Sequence, residues 1–283
     1  MEVTDNSEAM GFMSRHFVAL LCECELTEAD GTKKRGVNVF SGFLLQLHGH
    51  GFWVTAGHCL KDELDEPLKA GTLKILGGSY LDHFGHEPKF VDGVPYTYEM
   101  GDSFYIEDPE NGLDFALIRL DSLKVQAFLA NDLIFISRKN WEHQPKLHYD
   151  SYLMLGLIGQ PRLELQGGKT ILHTEQAMIT VNKITPDDIG ELPHDMSEPP
   201  SEDWFLGRIP KDEKIPSIQR MSGGPIYGFR NGTDGQLMYH VVALQSRWWT
   251  KSRNIFGCPL TLFGEWCHDV LSDVLAIDDV PSE

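Results

Sequence analysis

Short apolar runs bounded by Gly, Pro, Asn and Asp recur along this chain and restrict its fold more than any other feature. HFVALLCECEL, VNVFSGFLLQL, GFWVTAG, TLKILGG, DFALIRL, LIFIS, YLMLGLIG, QAMITVNKI, GPIYGF and MYHVVALQS all read as strands of about 5 to 8 residues. Many short strands punctuated by turn residues build sandwiches or barrels, so the fold class is all-β. A helical step is sustained in one place, LFGEWCHDVLSDVLAI, where Leu262, Trp266, Val270, Leu271, Val274 and Leu275 share a face. Residues 61–72 are charged and residues 186–214 are rich in acid and proline; both read as long surface loops, because strands resume on each side. A boundary near residues 135–150 divides the strands into two groups of similar number.

Charge narrows the partners. With 42 Asp and Glu against 24 Lys and Arg in 283 residues, the formal charge is −18, and such a chain has no general attraction for phosphate backbones or anionic membranes. Neither nucleic acid nor membrane is expected as a partner, and no stretch reaches the roughly 18 apolar residues of a membrane span. The start, MEVTDNSEAMGFMSRHF, is acidic where a secretory leader would be basic. Cys22, Cys24, Cys59, Cys258 and Cys267 form no closely spaced disulfide framework. The expectation is a soluble, cytoplasmic protein with reduced thiols.

The chemistry begins at FWVTAGHCL, an apolar strand that runs into a small-residue turn and His58. A lone histidine says little, but this one has partners. NGLDFALIRL places Asp114 at the head of an apolar strand, where a partly buried carboxylate needs hydrogen-bond donors. RMSGGPIYG places Ser222 in a turn before two glycines, which let the backbone bend tightly and leave hydroxyl and N–H groups accessible. A nucleophilic serine needs a histidine to take its proton, a carboxylate to orient that histidine, and N–H donors for the oxyanion. The order His, Asp, Ser is that of chymotrypsin and not of subtilisin or the α/β-hydrolases.

WVTAGHC, DFALIRL and MSGGP resemble the histidine, aspartate and nucleophile motifs of the chymotrypsin/trypsin-like serine peptidases, and SGFLL and YHVVALQS resemble strands found beside them. The resemblance spans roughly residues 15–275. It implies two six-stranded antiparallel β-barrels, over residues 15–135 and 136–260, with a helix over 261–277 packed on them and the site in the cleft between. It also implies His58 as general base and acid, Asp114 as orienting carboxylate, Ser222 as nucleophile, and the N–H groups of Arg220 and Ser222 as the oxyanion hole. Ser246 falls where relatives hydrogen-bond the aspartate, on a strand that edges the cleft. Ser217, Gln245, Ser246 and Trp248 are the candidate substrate-binding residues.

The chain also departs from that family. Arg220 and Met221 precede Ser222 where digestive relatives carry Gly and Asp, and no Ile-Val-Gly-Gly start is present, so activation by the family's terminal salt bridge is not expected. Glycine is usual at the position of Arg220 because the peptide must adopt a conformation that favours it. The expectation is a partly latent hole, completed by substrate, by a partner or by an activating protease. Cys59 has no cysteine to pair with in FSGFLLQL, so a free thiol is expected. No acid stands near Ser217 or Gln245, which argues against cleavage after Lys or Arg. The pairs His48/His50 and His83/His86 lack the complete ligand set of a structural zinc site, and neither metal nor cofactor is expected. The resulting expectation is an intracellular trypsin-like serine endopeptidase acting on few protein or peptide substrates. The competing readings are a catalytically weak scaffold of the same fold and an esterase using the same serine.

Overall fold

Two chain halves carry two different β architectures, each built from the runs above. The computed structural model describes residues 6–82, 93–108, 113–141, 147–166, 169–190, 204–215, 217–232 and 235–264. The chain is mostly antiparallel β-sheet with few helices. In the first half, β1 (Ala19–Thr27), β2 (Lys33–Phe40), β5 (Leu73–Leu81) and β6 (Val94–Pro95) form one four-stranded sheet in the order β2-β1-β5-β6. A second sheet runs β3-β4-β8-β7, from β3 (Phe43–Leu47), β4 (His50–Thr55), β7 (Ser103–Asp108) and β8 (Leu113–Arg119). Instead of one ring of six strands over residues 15–135, there are thus two sheets, joined by a bridge between Phe17 and Phe43. The ladder breaks between β2 and β3 at Ser41–Gly42, where Gly42 lies so close to the Trp53 ring that a Cβ would sit 2.4 Å from it.

The second half closes on itself. β9 (Ser151–Gln166), β10 (Lys169–Lys183), β11 (Phe205–Arg208), β12 (Pro225–Asn231), β13 (Leu237–Trp249) and β14 (Asn254–Pro259) form a closed six-stranded barrel in the order β10-β11-β14-β13-β12-β9. Closure leaves no open edge for a foreign strand to pair with. β9 and β10 make a hairpin of 16 and 15 residues, far longer than the apolar runs that announced it. β11 lies within the acidic, proline-rich segment read as a loop, and Phe205 and Leu206 are buried there.

Short helices decorate the sheets: α1 (Asn6–Ser14), α2 (Gly57–Leu60), α3 (Glu66–Lys69), α4 (Ser122–Ala130) and α5 (Arg138–Trp141). A π-helical turn at Lys61–Asp65 links α2 to α3, so residues 57–69 are helical where a loop was expected over 61–72. Leu60 and Leu64 are fully buried there, and the buried Asp65 accepts hydrogen bonds from Tyr98 at 2.9 Å and Tyr105 at 2.7 Å. LIFIS is no strand; a single parallel bridge, Leu45 to Ile136, is its whole β pairing. Residues 260–264 begin a helix, and the rest of the helix expected over 261–277 lies outside the described residues.

One continuous core joins the halves. Phe115 of β8 meets Phe263 with ring centroids 4.5 Å apart, and buried His16 reaches Ile134 O with Nδ1 at 2.8 Å and the Tyr239 hydroxyl with Nε2 at 2.9 Å. A carbonyl only accepts, so Nδ1 carries the hydrogen and Nε2 accepts from Tyr239. Burial pushes the His16 pKa down to about 4.

Candidate active site

Register brings the first two candidate residues together. β4 pairs with β8 so that Thr55 faces Ala116, and β4 ends there. His58 follows in the first turn of α2, beside Asp114 near the head of β8. Both Asp114 oxygens are committed to that residue: Oδ1 accepts the His58 backbone N–H at 2.9 Å and Oδ2 accepts Nδ1–H at 2.6 Å. Gly57 makes the approach possible, since a Cβ on it would lie 2.9 Å from Asp114 Oδ1. With Nδ1 carrying the hydrogen, Nε2 is left as the acceptor, the tautomer a general base requires.

The barrel supplies the rest. The ladder between β13 and β14 shifts register between Gln245 and Arg247, leaving Ser246 as the extra residue of a bulge. Bulges re-aim side chains, and the Ser246 hydroxyl donates to Asp114 Oδ2 at 2.5 Å. Burial alone would push the Asp114 carboxyl up, but the bonds from His58 and Ser246 outweigh it and hold the pKa below the usual carboxylate range. For His58, burial works to lower the pKa, and the neighbouring Cys59 together with the hydrogen bond and charge of Asp114 more than offsets it, so the imidazole is raised above 6.5. Burial also raises the Cys59 thiol, which leaves it neutral near pH 7 and makes the Asp114 carboxylate the charge that sustains His58.

Ser222 sits across from His58 in a turn fixed by its glycines. Gly223 has φ +90°, and a Cβ there would meet Thr55 Oγ1 at 2.0 Å and Ser41 O at 2.4 Å; one on Gly224 would meet Leu155 O at 2.1 Å. Gly223 N–H donates to Gln245 O at 2.8 Å and Gln245 N–H donates to Gly224 O at 2.9 Å. The serine hydroxyl donates to Ser246 O at 3.2 Å rather than to His58, whose Nε2 lies 3.6 Å from Cys59 Sγ. The N–H groups of Arg220 and Ser222 have no hydrogen-bond partner among the described residues.

Two cavities flank this group. One of about 500 Å³ lies against His58 and is walled by Leu113, Trp204, Trp248 and Trp249 together with the charged Lys61, Asp62, Glu107 and Arg247. The indole N–H groups of Trp204 and Trp248 are buried without an acceptor among the described residues. The other, of about 250 Å³, is lined by Ser222 itself with Phe40, Cys59, Glu63, Gln160 and Arg220. Of the four candidate substrate-binding residues, Ser246 and Trp248 line the larger cavity. Gln245 is buried and holds the nucleophile turn, and Ser217 accepts from Gln219 N–H at 3.3 Å within that turn.

Sequence reasoning overlooked Ser41, whose hydroxyl donates to Arg220 O at 2.6 Å and accepts from Leu157 N–H at 2.9 Å. It also overlooked Trp204, which directly follows the acidic segment at residues 191–203. No signal short of the fold marks either residue. Among the described residues, no three His, Cys, Asp or Glu side chains gather as a metal site. His48 and His50 flank the β3–β4 turn, and His83 and His86 lie outside the described residues. Cys22, Cys24, Cys59 and Cys258 are free and buried. No helix among the described residues is long and apolar enough to cross a membrane.

No family model and no curated protein matches the chain. It is similar to a solved structure connected with aromatic interactions that drive the coupled folding and binding of the intrinsically disordered Sesbania mosaic virus VPg protein. The identity is 11%, over 91% of this chain and 90% of that one, with a TM-score of 0.40. A likeness at that level fixes neither family nor fold.

Proposed function

We propose that the chain is a serine endopeptidase of the chymotrypsin-like kind, hydrolysing peptide bonds through an acyl-enzyme on Ser222. The observation that carries this reading is the pair of hydrogen bonds that Asp114 accepts from the backbone and ring of His58, made beside a serine held by two packed glycines. In this mechanism the Ser222 hydroxyl attacks the scissile carbonyl while His58 Nε2 takes its proton. The same proton then passes to the leaving amine, and water repeats the sequence in reverse to free the enzyme. Asp114 keeps the tautomer and stabilises the imidazolium, and Ser246 keeps Asp114 ionised. The N–H groups of Ser222 and Arg220 receive the oxyanion.

The closed barrel of β9 to β14, and the meeting of His58 and Asp114 from the first half with Ser222 and Ser246 from the second, support a cleft between the barrel and the paired sheets of the first half. The cavity beside His58 carries both tryptophans and charged side chains, Lys61, Asp62, Glu107 and Arg247 among them, which supports substrate residues of mixed character there. The acidic surface and the substitution at Arg220 fit cleavage of a few protein substrates in the cytoplasm, not general digestion.

A fluorophosphonate probe tests the reading. Wild type is expected to be labelled and Ser222→Ala to remain unlabelled; equal labelling of both would remove Ser222 from the mechanism. Turnover of esters with no cleavage of any peptide in a diverse library would favour the esterase. The orientation of the Ser222 hydroxyl toward Ser246 O is the observation that favours the weak scaffold, and absence of both labelling and cleavage would turn the reading to it.

A further inference from the structure

Ile218, Gln219, Arg220 and Met221 form a hydrogen-bonded turn, with Met221 N–H donating to Ile218 O at 2.9 Å. The turn has no cis peptide, and the described non-glycine residues with positive φ are His48, Asp132 and Arg253, so Arg220 keeps a negative φ. A type II turn requires positive φ at its third residue, and the primed types require it at the second. Type I is the hydrogen-bonded turn that remains. Types I and II differ by a half-turn of the central peptide. Here that is the Gln219–Arg220 peptide, whose N–H is the second donor of the oxyanion hole. The glycine-favouring conformation that would aim this N–H into the hole is therefore not the one adopted.

We propose that the hole is half built at rest: Ser222 N–H is in place, the Gln219–Arg220 peptide is turned away, and the Cβ of Arg220 sets how seldom it turns in. This rests on the reading of Ser222 as nucleophile. The flanking groups confine the motion to one peptide. Ser41 holds the carbonyl of Arg220 at 2.6 Å, beyond the rotating unit, and the guanidinium donates from Nη2 to Gln160 Oε1 at 2.8 Å. Rotation therefore uses ψ of Gln219 and φ of Arg220 and leaves both anchors intact. A residue with a Cβ disfavours positive φ about 5- to 30-fold, whereas glycine takes either sign about equally. The hydroxyl of Ser222 is out of position in the same sense, directed at Ser246 O with His58 Nε2 facing Cys59 Sγ. A substrate whose carbonyl oxygen gains charge interacts with the turned-in form alone and so draws the population toward it.

The test is the second-order rate constant for phosphonylation by a fluorophosphonate in wild type, Arg220→Gly, Arg220→Ala and Ser222→Ala. Arg220→Gly is expected to react about 5- to 30-fold faster than wild type. Arg220→Ala, which loses the Gln160 tether but keeps a Cβ, is expected to gain no more than about twofold. Equal rates for wild type and Arg220→Gly would overturn the inference and leave Ser222 as nucleophile. Equal gains for Gly and Ala would also overturn it, by moving the restraint from backbone to guanidinium. If no protein with Ser222 reacts, both the inference and the reading beneath it fall. The Arg220 amide resonance of wild type gives the answer without a substitution: it is expected to move on phosphonylation, and an unmoved resonance would count against the flip.

Discussion

The two sides of the cleft are prepared to different degrees. On the base side, Asp114 accepts three hydrogen bonds, two from His58 and one from Ser246, and no rotation is left to settle. On the nucleophile side the scaffold is as rigid, with Gly223 and Gly224 pressed on Thr55, Ser41 and Leu155, yet the two groups that would do chemistry point elsewhere. The difference teaches that rigidity and readiness are separate properties. Backbone packing fixes where Ser222 stands, while one χ angle and one peptide plane set the directions of its hydroxyl and of the Arg220 N–H.

The contrast can be broken most severely at Asp114. Asp114→Asn is expected to lower turnover about 10⁴-fold, because the carboxamide leaves His58 in the wrong tautomer. A loss below tenfold would mean that the base side is not where catalysis is won. On the other side, Gly223→Ala places a Cβ 2.0 Å from Thr55 Oγ1 at φ +90° and should reduce unfolding free energy by about 3 kcal/mol. Denaturant titration reads this, and an unchanged midpoint would show that the nucleophile turn is softer than its packing indicates. Ser246→Ala removes one bond to an ionised acceptor and is expected to cost about tenfold in turnover; no change would reduce the clamp to His58 and Asp114 alone.

The pH profile gives the finest test. His58 must be neutral to take a proton, and its pKa is raised, so turnover should climb with pH and reach half its plateau above 6.5. A half-point at or below 6.5 would show that Asp114 does not charge the imidazole. His16 gives the opposite sign in stability. Its folded pKa of about 4 lies below the unfolded value of 6.5, so the unfolded chain gains a proton first and stability falls as pH drops. The loss should reach about 3 kcal/mol between pH 6.5 and 4, and His16→Gln should flatten that dependence.

The legible parts of the molecule were those whose signal is local. His58, Asp114 and Ser222 each sit in a short motif, and the structure brings all three to one place beside Ser246. The helical segment at 57–69 was hidden because its partners are distant: Asp65 is satisfied by Tyr98 and Tyr105, and without them its charges read as solvated loop. LIFIS has strand composition, yet it is buried largely by packing and gains one bridge instead of a ladder. α4 begins at a capping aspartate, Asp121, whose side chain accepts Lys124 N–H at 2.8 Å, a cue present in DSLK. β11 was masked by the acidic residues ahead of it. The state of the hole was half legible: an arginine in place of glycine announced a conflict, but which way the peptide turned is read from the negative φ of Arg220 within the Ile218–Met221 turn.

Ser41 gives the cleft a mechanical property. Its hydroxyl is a single rivet through three plates: the end of the first sheet, β9 of the barrel at Leu157, and the nucleophile turn at Arg220. Any shear between the two halves must load that rivet, so a force applied far from the substrate arrives at the carbonyl next to the rotating peptide.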